Sequence, residues 1–530
     1  MVKAKTKGGK KRAKNKKRNP FEDQKRVGKK LLPPLLSQLG PIKDAAWIPK
    51  QLPEFLWIDS LLNSYDRGLA LHYFNKTLDL LDEFNPDKND PLLGLVSSFK
   101  QIPKELQERA KEKIKPLVKQ AILEPFGDIL LLYSECPMNW LIIDEWKDAH
   151  DFNLEFTLGK LKRAVRLLMD GKSHHSSLRR AVPLNRMFKH NKLFIITKNV
   201  SEELLDGIPK YPECPEQQRA HVESFARNTM SMIIMHREEF YDWGSYFWRY
   251  NYQISVCEFS EYPSEAQDTE KTIREILSVT KNMVSELTTT LRQIFKKAQV
   301  DLYTPDKDEI LFGLLSRQYR LFVVLVTSPY LWAADLARII LRCMADTLIS
   351  FKWLLFNNDL GLYRRFKEYG LGKEKLLKLH VEQILGNIEE KNSPLSSLKE
   401  SLEDSINSEI WEELLPIDLG GWSGLDTYKI AEKVGLKDLY RLLYSPTSAD
   451  VHGEWISLRD SNLRRCINPL HRFHRVPTLE FPLISPNFIF TAAHLFKDLF
   501  EEWKKNYSVV ETLSFVDNDL KLISDIIEQG

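Results

Sequence analysis

The sequence predicts an all-α, mainly helical protein built from two helical domains. Its 530 residues exceed what one hydrophobic core usually covers, so more than one domain is expected. Only 22 glycines and 26 prolines occur, too few for the many turns of a β-sandwich. Apolar residues recur at spacings of three and four along most of the chain, which is the helical pattern.

The first 30 residues are predicted to be a disordered basic tail. They hold 14 lysines and arginines against Glu22 and Asp23, whereas the whole chain carries a net charge of only +3. Such a tail favours sequence-independent binding to RNA or DNA through release of counterions. A nuclear import signal, if the source is eukaryotic, and a solubilising tail are the alternatives. The residues assigned to nucleic-acid contact are Lys10, Lys11, Arg12, Lys14, Lys16, Lys17 and Arg18.

An N-terminal helical domain is predicted over residues 31–205. Helical spacing is clear in four segments: 56–84, 103–122, 127–142 and 156–171. A short strand is predicted at 192–200. Three prolines fall within seven residues in the stretch 206–218, which we interpret as the linker to a second domain.

The second domain is predicted to be a helical bundle over 219–507, followed by a helical extension over 508–530. A long amphipathic helix is expected at 268–300 and a strong closing helix at 488–507. The segment 331–355 is apolar on nearly all sides, so it should form the buried central helix of the bundle.

The five cysteines predict no metal site and no disulfide framework, because none forms a CxxC pair and their number is odd. They are Cys136, Cys214, Cys257, Cys343 and Cys466. No cofactor is expected, and a reducing, cytoplasmic location fits best. The most apolar run, 321–334, has 14 residues and is too short to span a bilayer, so no membrane association is predicted.

A candidate site begins in the stretch "YSPTSADVHGEW", residues 444–455. Ser445 as N-cap and Pro446 as first helical residue would start a helix that runs to about residue 458, and a shifted register would make Ser448 the cap. In either register Ser448 and His452 share a face, and the helix dipole favours a neutral imidazole. Three roles remain open for His452: a structural hydrogen bond in the core, catalysis or nucleic-acid contact, and metal binding.

The predicted central helix carries Arg342 and Asp346 four residues apart. A charged pair inside an apolar helix is costly unless it is satisfied, so it should either brace the bundle or line a cleft. Arg338, one turn earlier, would extend a basic face. We expect His452 to face this helix and to lie near Arg342 or Asp346.

Two further clusters mix histidine with arginine. "SHHSS", residues 173–177, precedes Arg179 and Arg180 and is predicted to be a surface loop. "LHRFHR", residues 470–475, is interpreted either as a phosphate-contacting segment or as ordinary surface.

The order of "LARIILRCMADTLISFKWLL", "LYRRFKEYGLGKEKLLKLH" and "WSGLDTYKIAEKVGLKDLYRLLYSPTSADVHGEW" resembles an uncharacterised bacterial family, domain of unknown function 5677. The resemblance covers roughly 225–505. The pattern of that family pairs a buried Arg-x-x-x-acid helix with a later Tyr…Ser-x-x-x-His helix. It implies that the catalytic candidates are Arg342, Asp346, Tyr444, Ser448 and His452.

The same pattern is similar to HEPN helical bundles, many of which are dimeric RNA-cleaving toxins or antiviral effectors. Those bundles place four to six residues between an arginine and the histidine, so the arginine would stand where this chain has Ser445, Pro446 and Thr447. The resemblance therefore implies a nucleic-acid-associated bacterial effector with a non-standard site, acting as a homodimer, and it leaves open whether the protein is an enzyme. The alternative is a non-catalytic helical scaffold or adaptor that binds protein partners.

Overall fold

The chain forms two compact units in the computed structural model. The structure describes residues 25–27, 30–32, 46–88, 90–190, 202–235, 240–260, 266–386, 394–480, 484–507 and 509–529. The first unit comprises residues up to Phe259 together with Cys466–His474. The second unit comprises Ser260–Arg465 and Arg475–Gly530.

The first unit is helical. Its helices are α1 (Leu56–Ser64), α2 (Arg67–Leu81), α3 (Lys104–Val118), α4 (Glu124–Leu132), α5 (Asp144–Ala149), α6 (Leu154–Met169), α7 (His174–Lys189), α8 (Glu202–Lys210), α9 (Glu216–Met235) and α10 (Phe240–Ile254). A short antiparallel pair joins β1 (Lys25–Val27) and β2 (Lys30–Leu32). Side-chain caps start several helices: Asp66 accepts from the amide of Leu69 at 3.1 Å, and Asn153 accepts from the amide of Phe156 at 2.9 Å.

Charged side chains lie inside the first unit beside its apolar core. Asp59 is fully buried and accepts hydrogen bonds from Arg179 Nε and His175 Nε2, each at 2.8 Å. Arg186, also buried, pairs with Asp79 and Asp82. The prediction of a surface loop at 173–177 is therefore wrong. Ser173 caps α7, and the Arg179 side chain that follows points into the protein, where Asp59 offsets its desolvation.

The second unit is also helical. Its helices are α11 (Ala266–Lys297), α12 (Asp306–Thr327), α13 (Ala334–Asn357), α14 (Leu360–Leu385), α15 (Pro394–Asn407), α16 (Thr427–Lys433), α17 (Lys437–Leu439), α18 (Ser448–His452), α19 (Trp455–Ser457), α20 (Phe488–Asn506) and α21 (Ser514–Gln529). β3 (Leu463–Arg465) pairs antiparallel with β4 (Arg475–Pro477).

Helix α13 is the centre of the second unit, as predicted. It packs against α12, α16, α18 and α20, and it buries Leu341, Met344, Leu348, Phe351 and Leu354. The helix ends at Asn358, which adopts the left-handed conformation with φ 45°.

The mainly α-helical class is confirmed. The domain boundary differs from the predicted linker at 206–218, because α8 and α9 pack onto α7 and keep that stretch within the first unit. The division falls after Phe259 instead. Residues 1–24 of the predicted disordered tail and the predicted strand at 192–200 lie outside the described residues, whereas residues 25–27 and 30 of that tail belong to the pair of strands β1 and β2.

The apolar run 321–334 covers the end of α12, the turn after it and the first residue of α13. Among the described residues α12 is the one helix whose length and composition would suffice to cross a membrane. Its inner face belongs to the core of the second unit, where Gln318 Nε2 donates to the carbonyl of Leu495 at 3.1 Å.

Candidate functional site

The stretch that carries the predicted site forms a shorter helix than expected. Residues Tyr440–Tyr444 make a wide turn that ends at Ser445, and α18 begins only at Ser448. The Thr447 hydroxyl donates back to the carbonyl of Leu443 at 2.7 Å and holds the intervening turn. Gly453, with φ 61°, ends α18 after five residues.

His452 is exposed, so the expectation that it faces the central helix is wrong. In the described residues no hydrogen bond or ion pair links His452 to Arg342 or Asp346. Asp450 occupies the inward position instead. Its side chain is 3% exposed, and its Oδ1 lies 3.8 Å from Nη1 of Arg338.

Arg342 and Asp346 do not form the predicted buried pair. Arg342 is half-buried; its Nη1 donates to the carbonyl of Tyr444 at 2.7 Å, and its guanidinium lies 4.1 Å from the centre of the Tyr444 ring. Asp346 is exposed, and its carboxylate lies beyond ion-pair distance of Arg342. Partial desolvation still raises the pKa of Asp346, against the lowering effect of Arg342 and Arg317.

Arg342 lies at one end of a row of tyrosine rings, which we call the tyrosine strip. Tyr444 stacks on Tyr440 at 5.0 Å, and Tyr440 meets Tyr428 edge-on at 5.3 Å. At the far end Arg441 Nη2 donates to the Tyr428 hydroxyl at 3.3 Å. All three rings are half-buried, and Tyr440 and Tyr444 pack against the core of the second unit.

Two more arginines extend this basic surface along α12. Arg317 and Arg320 are exposed and line a shallow groove of about 420 Å³. Within the described ranges, neither they nor Arg342 lies within ion-pair distance of a carboxylate. Arg342 and Arg317 interact with Asp346 only at longer range, so an anionic ligand would have no close ion pair to displace.

A cavity of about 320 Å³ opens beside the tyrosine strip. It is lined by Arg338, Pro446, Thr447, Asp450, Asp460 and Thr491, together with apolar side chains that include Leu442 and Ile456. Asp450 Oδ1 is buried without a hydrogen-bond partner. A buried carboxylate oxygen without a donor is costly, so this oxygen provides an acceptor for a ligand that enters the cavity.

The structure thus brings together part of the predicted site. Arg342 and Tyr444 meet directly, whereas the half-buried Ser448 contributes no side-chain hydrogen bond among the described residues. Their catalytic assignment, with Asp346 and His452, stays a prediction. From the sequence, Asp450 was considered only with His452 and Glu454 as a metal ligand, and its position on another face of the short helix from His452 argued against that site.

Comparison with known proteins gives one match. No curated protein and no solved structure matches the chain. Residues 308–465, which contain the whole tyrosine strip and Asp450, match the model of a family of unknown function (DUF5677).

Proposed function

We propose that the protein is a nucleic-acid-associated effector whose second unit binds single-stranded RNA or DNA along the tyrosine strip. The observation that carries this proposal is the row of three half-buried rings with Arg342 at one end and Arg441 at the other, neither of which lies within ion-pair distance of a carboxylate in the described part of the chain. Aromatic rings stack on bases of any sequence, and arginines contact the phosphates between them. The proposal concerns binding and includes no chemical reaction.

The cavity beside the strip supplies a place for one unstacked base. Its volume of about 320 Å³ is ample for a nucleobase, and Asp450 Oδ1 lacks a donor there. Carboxylates accept hydrogen bonds from exocyclic amino groups, as on cytosine N4. A base that presents amino or imino donors would therefore satisfy Asp450, whereas a base edge that offers acceptors alone would not.

The basic tail and the similarity to HEPN bundles support the wider proposal of a bacterial effector in antiviral or toxin-type defence. The tail would attract nucleic acid without sequence preference, and the strip would select single strands. The proposed site departs from the HEPN pattern at Ser445, Pro446 and Thr447. The HEPN-like site and homodimer are part of this proposal.

The test of the strip is a titration of full-length protein with a labelled mixed-sequence single strand, followed by anisotropy at several salt concentrations. Tyr440→Leu should weaken binding by about 1–3 kcal/mol, the contribution of one base–ring stack. Tyr369→Leu is the matched control, because Lys373 lies 4.6 Å from the ring of Tyr369 in a similar pair elsewhere on the second unit. If both variants bind the single strand as tightly as the unchanged protein does, the tyrosine strip is not the binding site.

Deletion of residues 1–30 separates the contribution of the tail. This deletion should weaken binding to single strands and duplexes alike and flatten the salt dependence. Tyr440→Leu should instead affect single strands alone. Loss of preference for single strands on removal of the tail would contradict the division of roles.

A second experiment tests the cavity through base identity. Asp450→Asn replaces an acceptor-only group with one that also donates, so the preference among homopolymers should shift towards bases that offer acceptors. Affinity for a mixed sequence should change little. An unaltered ranking of homopolymers would exclude base entry into the cavity.

The alternative function, a scaffold that binds protein partners, has its own supporting observation. Two apolar side chains that line the cavity are exposed, Leu442 at 80% and Ile456 at 52%, and Trp455, next to Ile456 in sequence, is exposed at 61%. Exposed apolar patches favour association with another protein or with a second copy of the chain. Leu442→Asp should convert a dimer to a monomer by light scattering if this patch is the interface, with Leu479→Asp as the exposed control.

A further inference from the structure

Two cysteines and two histidines of the first unit converge, although they are far apart in sequence. Cys257 follows α10, and Cys466, His471 and His474 come from the segment 466–474. The Sγ of Cys257 lies 3.2 Å from Nε2 of His474 and 3.5 Å from Nδ1 of His471. The Sγ of Cys466 lies 3.6 Å from the same Nδ1, and all four atoms lie within 4.8 Å of one another.

These separations fit a tetrahedral metal ion. Zinc binds sulfur at about 2.3 Å and nitrogen at about 2.0–2.1 Å, so neighbouring sulfur and nitrogen ligands of one ion lie about 3.5 Å apart. The three observed sulfur–nitrogen distances, 3.2, 3.5 and 3.6 Å, match this value. Cys₂His₂ is a ligand set typical of structural zinc.

The hydrogen bonds around His471 fix the tautomer that a metal requires. Ser255 Oγ donates its proton to the carbonyl of Asn251 at 2.8 Å, so towards His471 it acts as an acceptor. Nε2 of His471, 2.9 Å from this Oγ, must then carry the hydrogen. Nδ1 is left with a lone pair, and it is the atom that faces both sulfurs.

The backbone of the segment 466–474 is folded tightly around these side chains. The amide of Cys466 donates to the carbonyl of His474 at 2.8 Å, and the amide of His474 donates to the carbonyl of His471 at 3.1 Å. Asn468 Nδ2 donates to the carbonyl of Val256 at 2.9 Å, which holds the segment against the end of α10. Cys466 and His471 are buried, whereas Cys257 and His474 are half-buried, so an ion has a route of entry.

We propose that Cys257, Cys466, His471 and His474 hold one structural Zn²⁺. Four protein ligands complete a tetrahedral shell and leave no position for a substrate, so the ion would stabilise the fold and not take part in a reaction. Binding replaces the two thiol protons, which pass to solvent, and leaves both cysteines as thiolates. The prediction of no metal site rested on the absence of CxxC, a criterion that misses ligands brought together by the fold.

One other group of three side chains in the described part of the chain has suitable spacing, but it carries no proposal. Asp79 and Asp82 lie near His190, and Arg186 pairs with both carboxylates. A cation there would have to displace the guanidinium from a buried position.

The direct test is the metal content of full-length protein purified without chelator from zinc-supplemented medium. We expect about one Zn²⁺ per chain, by mass spectrometry of the released metal. Replacement by Co²⁺ should give the absorption bands of a tetrahedral sulfur-ligated ion. His474→Gln should lose the metal, and because His474 is half-buried this variant is the one expected to fold in its absence.

Cys343→Ser is the matched control, because Cys343 is a half-buried free thiol outside the cluster. It should retain zinc at the level of the unchanged protein. The proposal fails if the purified protein holds no zinc and its cysteines are all reduced. It also fails if Cys257 and Cys466 are found as a disulfide, or if His474→Gln binds zinc as well as the control does.

Discussion

The two units differ in how many charged side chains they bury. In the first unit the buried side chains include Glu54, Asp59, Arg179, Arg180 and Arg186, each at most 4% exposed. In the second unit the described residues include fewer such groups: Asp308 and Lys378, at 8% and 6% exposed, and Asp450, whose side chain is 3% exposed. The arginines of the second unit that matter most here, Arg317 and Arg342, lie at its surface or half-buried.

Because of this difference, we expect changes of charge to affect mainly stability in the first unit and mainly ligand binding in the second. A buried charge depends on specific partners held in one geometry, so the first unit should lose much stability when a partner is removed. An exposed arginine remains solvated when its surroundings change, and it is available to a phosphate. The first unit should therefore be sensitive to conservative changes of charge, and the second unit should tolerate them with loss of binding only.

The largest effect is expected at Asp59. Asp59→Asn keeps the shape of the side chain but removes the charge that compensates Arg179. The free energy of unfolding should fall by about 3–5 kcal/mol, as for a broken buried ion pair. Urea denaturation measures it, with the exposed Asp525→Asn of the second unit as control. Equal losses in the two variants would remove the contrast between the units.

Glu54 should make the stability of the first unit depend on pH. It is fully buried against Ser97, and burial raises its pKa to about 8 from an ordinary value of 4.5. The folded state thus retains a proton that the unfolded state releases, so stability is highest at low pH and falls as pH rises from about 5 to about 8. The decrease due to this residue should be about 3 kcal/mol.

Glu54→Gln provides the comparison for that pH dependence. The amide imitates the protonated acid, because Nε2 can donate to the Ser97 hydroxyl while Oε1 accepts from the Ser97 amide. Thermal melts of the variant across this pH range should lack the contribution of Glu54. If the variant and the unchanged protein show the same pH profile, Glu54 is ionised in the folded state.

A smaller effect on stability is expected at Arg342. Arg342→Lys keeps the charge but loses the planar contact with the Tyr444 ring and weakens the bond to the Tyr444 carbonyl. Stability should fall by about 1 kcal/mol, whereas binding of single strands should fall further. A stability loss as large as that of Asp59→Asn would place Arg342 among the structural arginines.

The smallest effect is expected at His452. Because its side chain is exposed, His452→Gln should change the free energy of unfolding by less than about 0.5 kcal/mol. Any loss of nuclease or binding activity in this variant would then report a functional role directly. A clear drop in the melting temperature of this variant would contradict the exposed position of His452 and indicate that its side chain makes a stabilising contact.

The long helices could be predicted from the sequence because their apolar stripes are set by local spacing. The central helix Ala334–Asn357 was expected at 331–355, and Phe488–Asn506 was expected at 488–507. The buried charged side chains could not be predicted from the sequence, because a run rich in histidine and arginine such as 173–180 has the composition of a surface loop. Only Asp59, more than 100 residues earlier, explains why Arg179 points inward. The prediction that His452 faces the central helix was wrong because Gly453 ends the helix of His452 before a second turn forms.

Residues 466–474 belong to the first unit although they follow most of the second unit in sequence, and this affects the order of folding during synthesis. Leu470 is fully buried in the core of the first unit, yet it is made after almost all of the second unit. Domains usually fold in turn as they leave the ribosome. Here the core of the first unit cannot be completed until residue 474 has left the ribosome, and until then the site for Leu470 beside α10 stays open. A fragment that stops at residue 259 would keep that opening permanently, and addition of a peptide spanning 466–474 is the simplest way to close it.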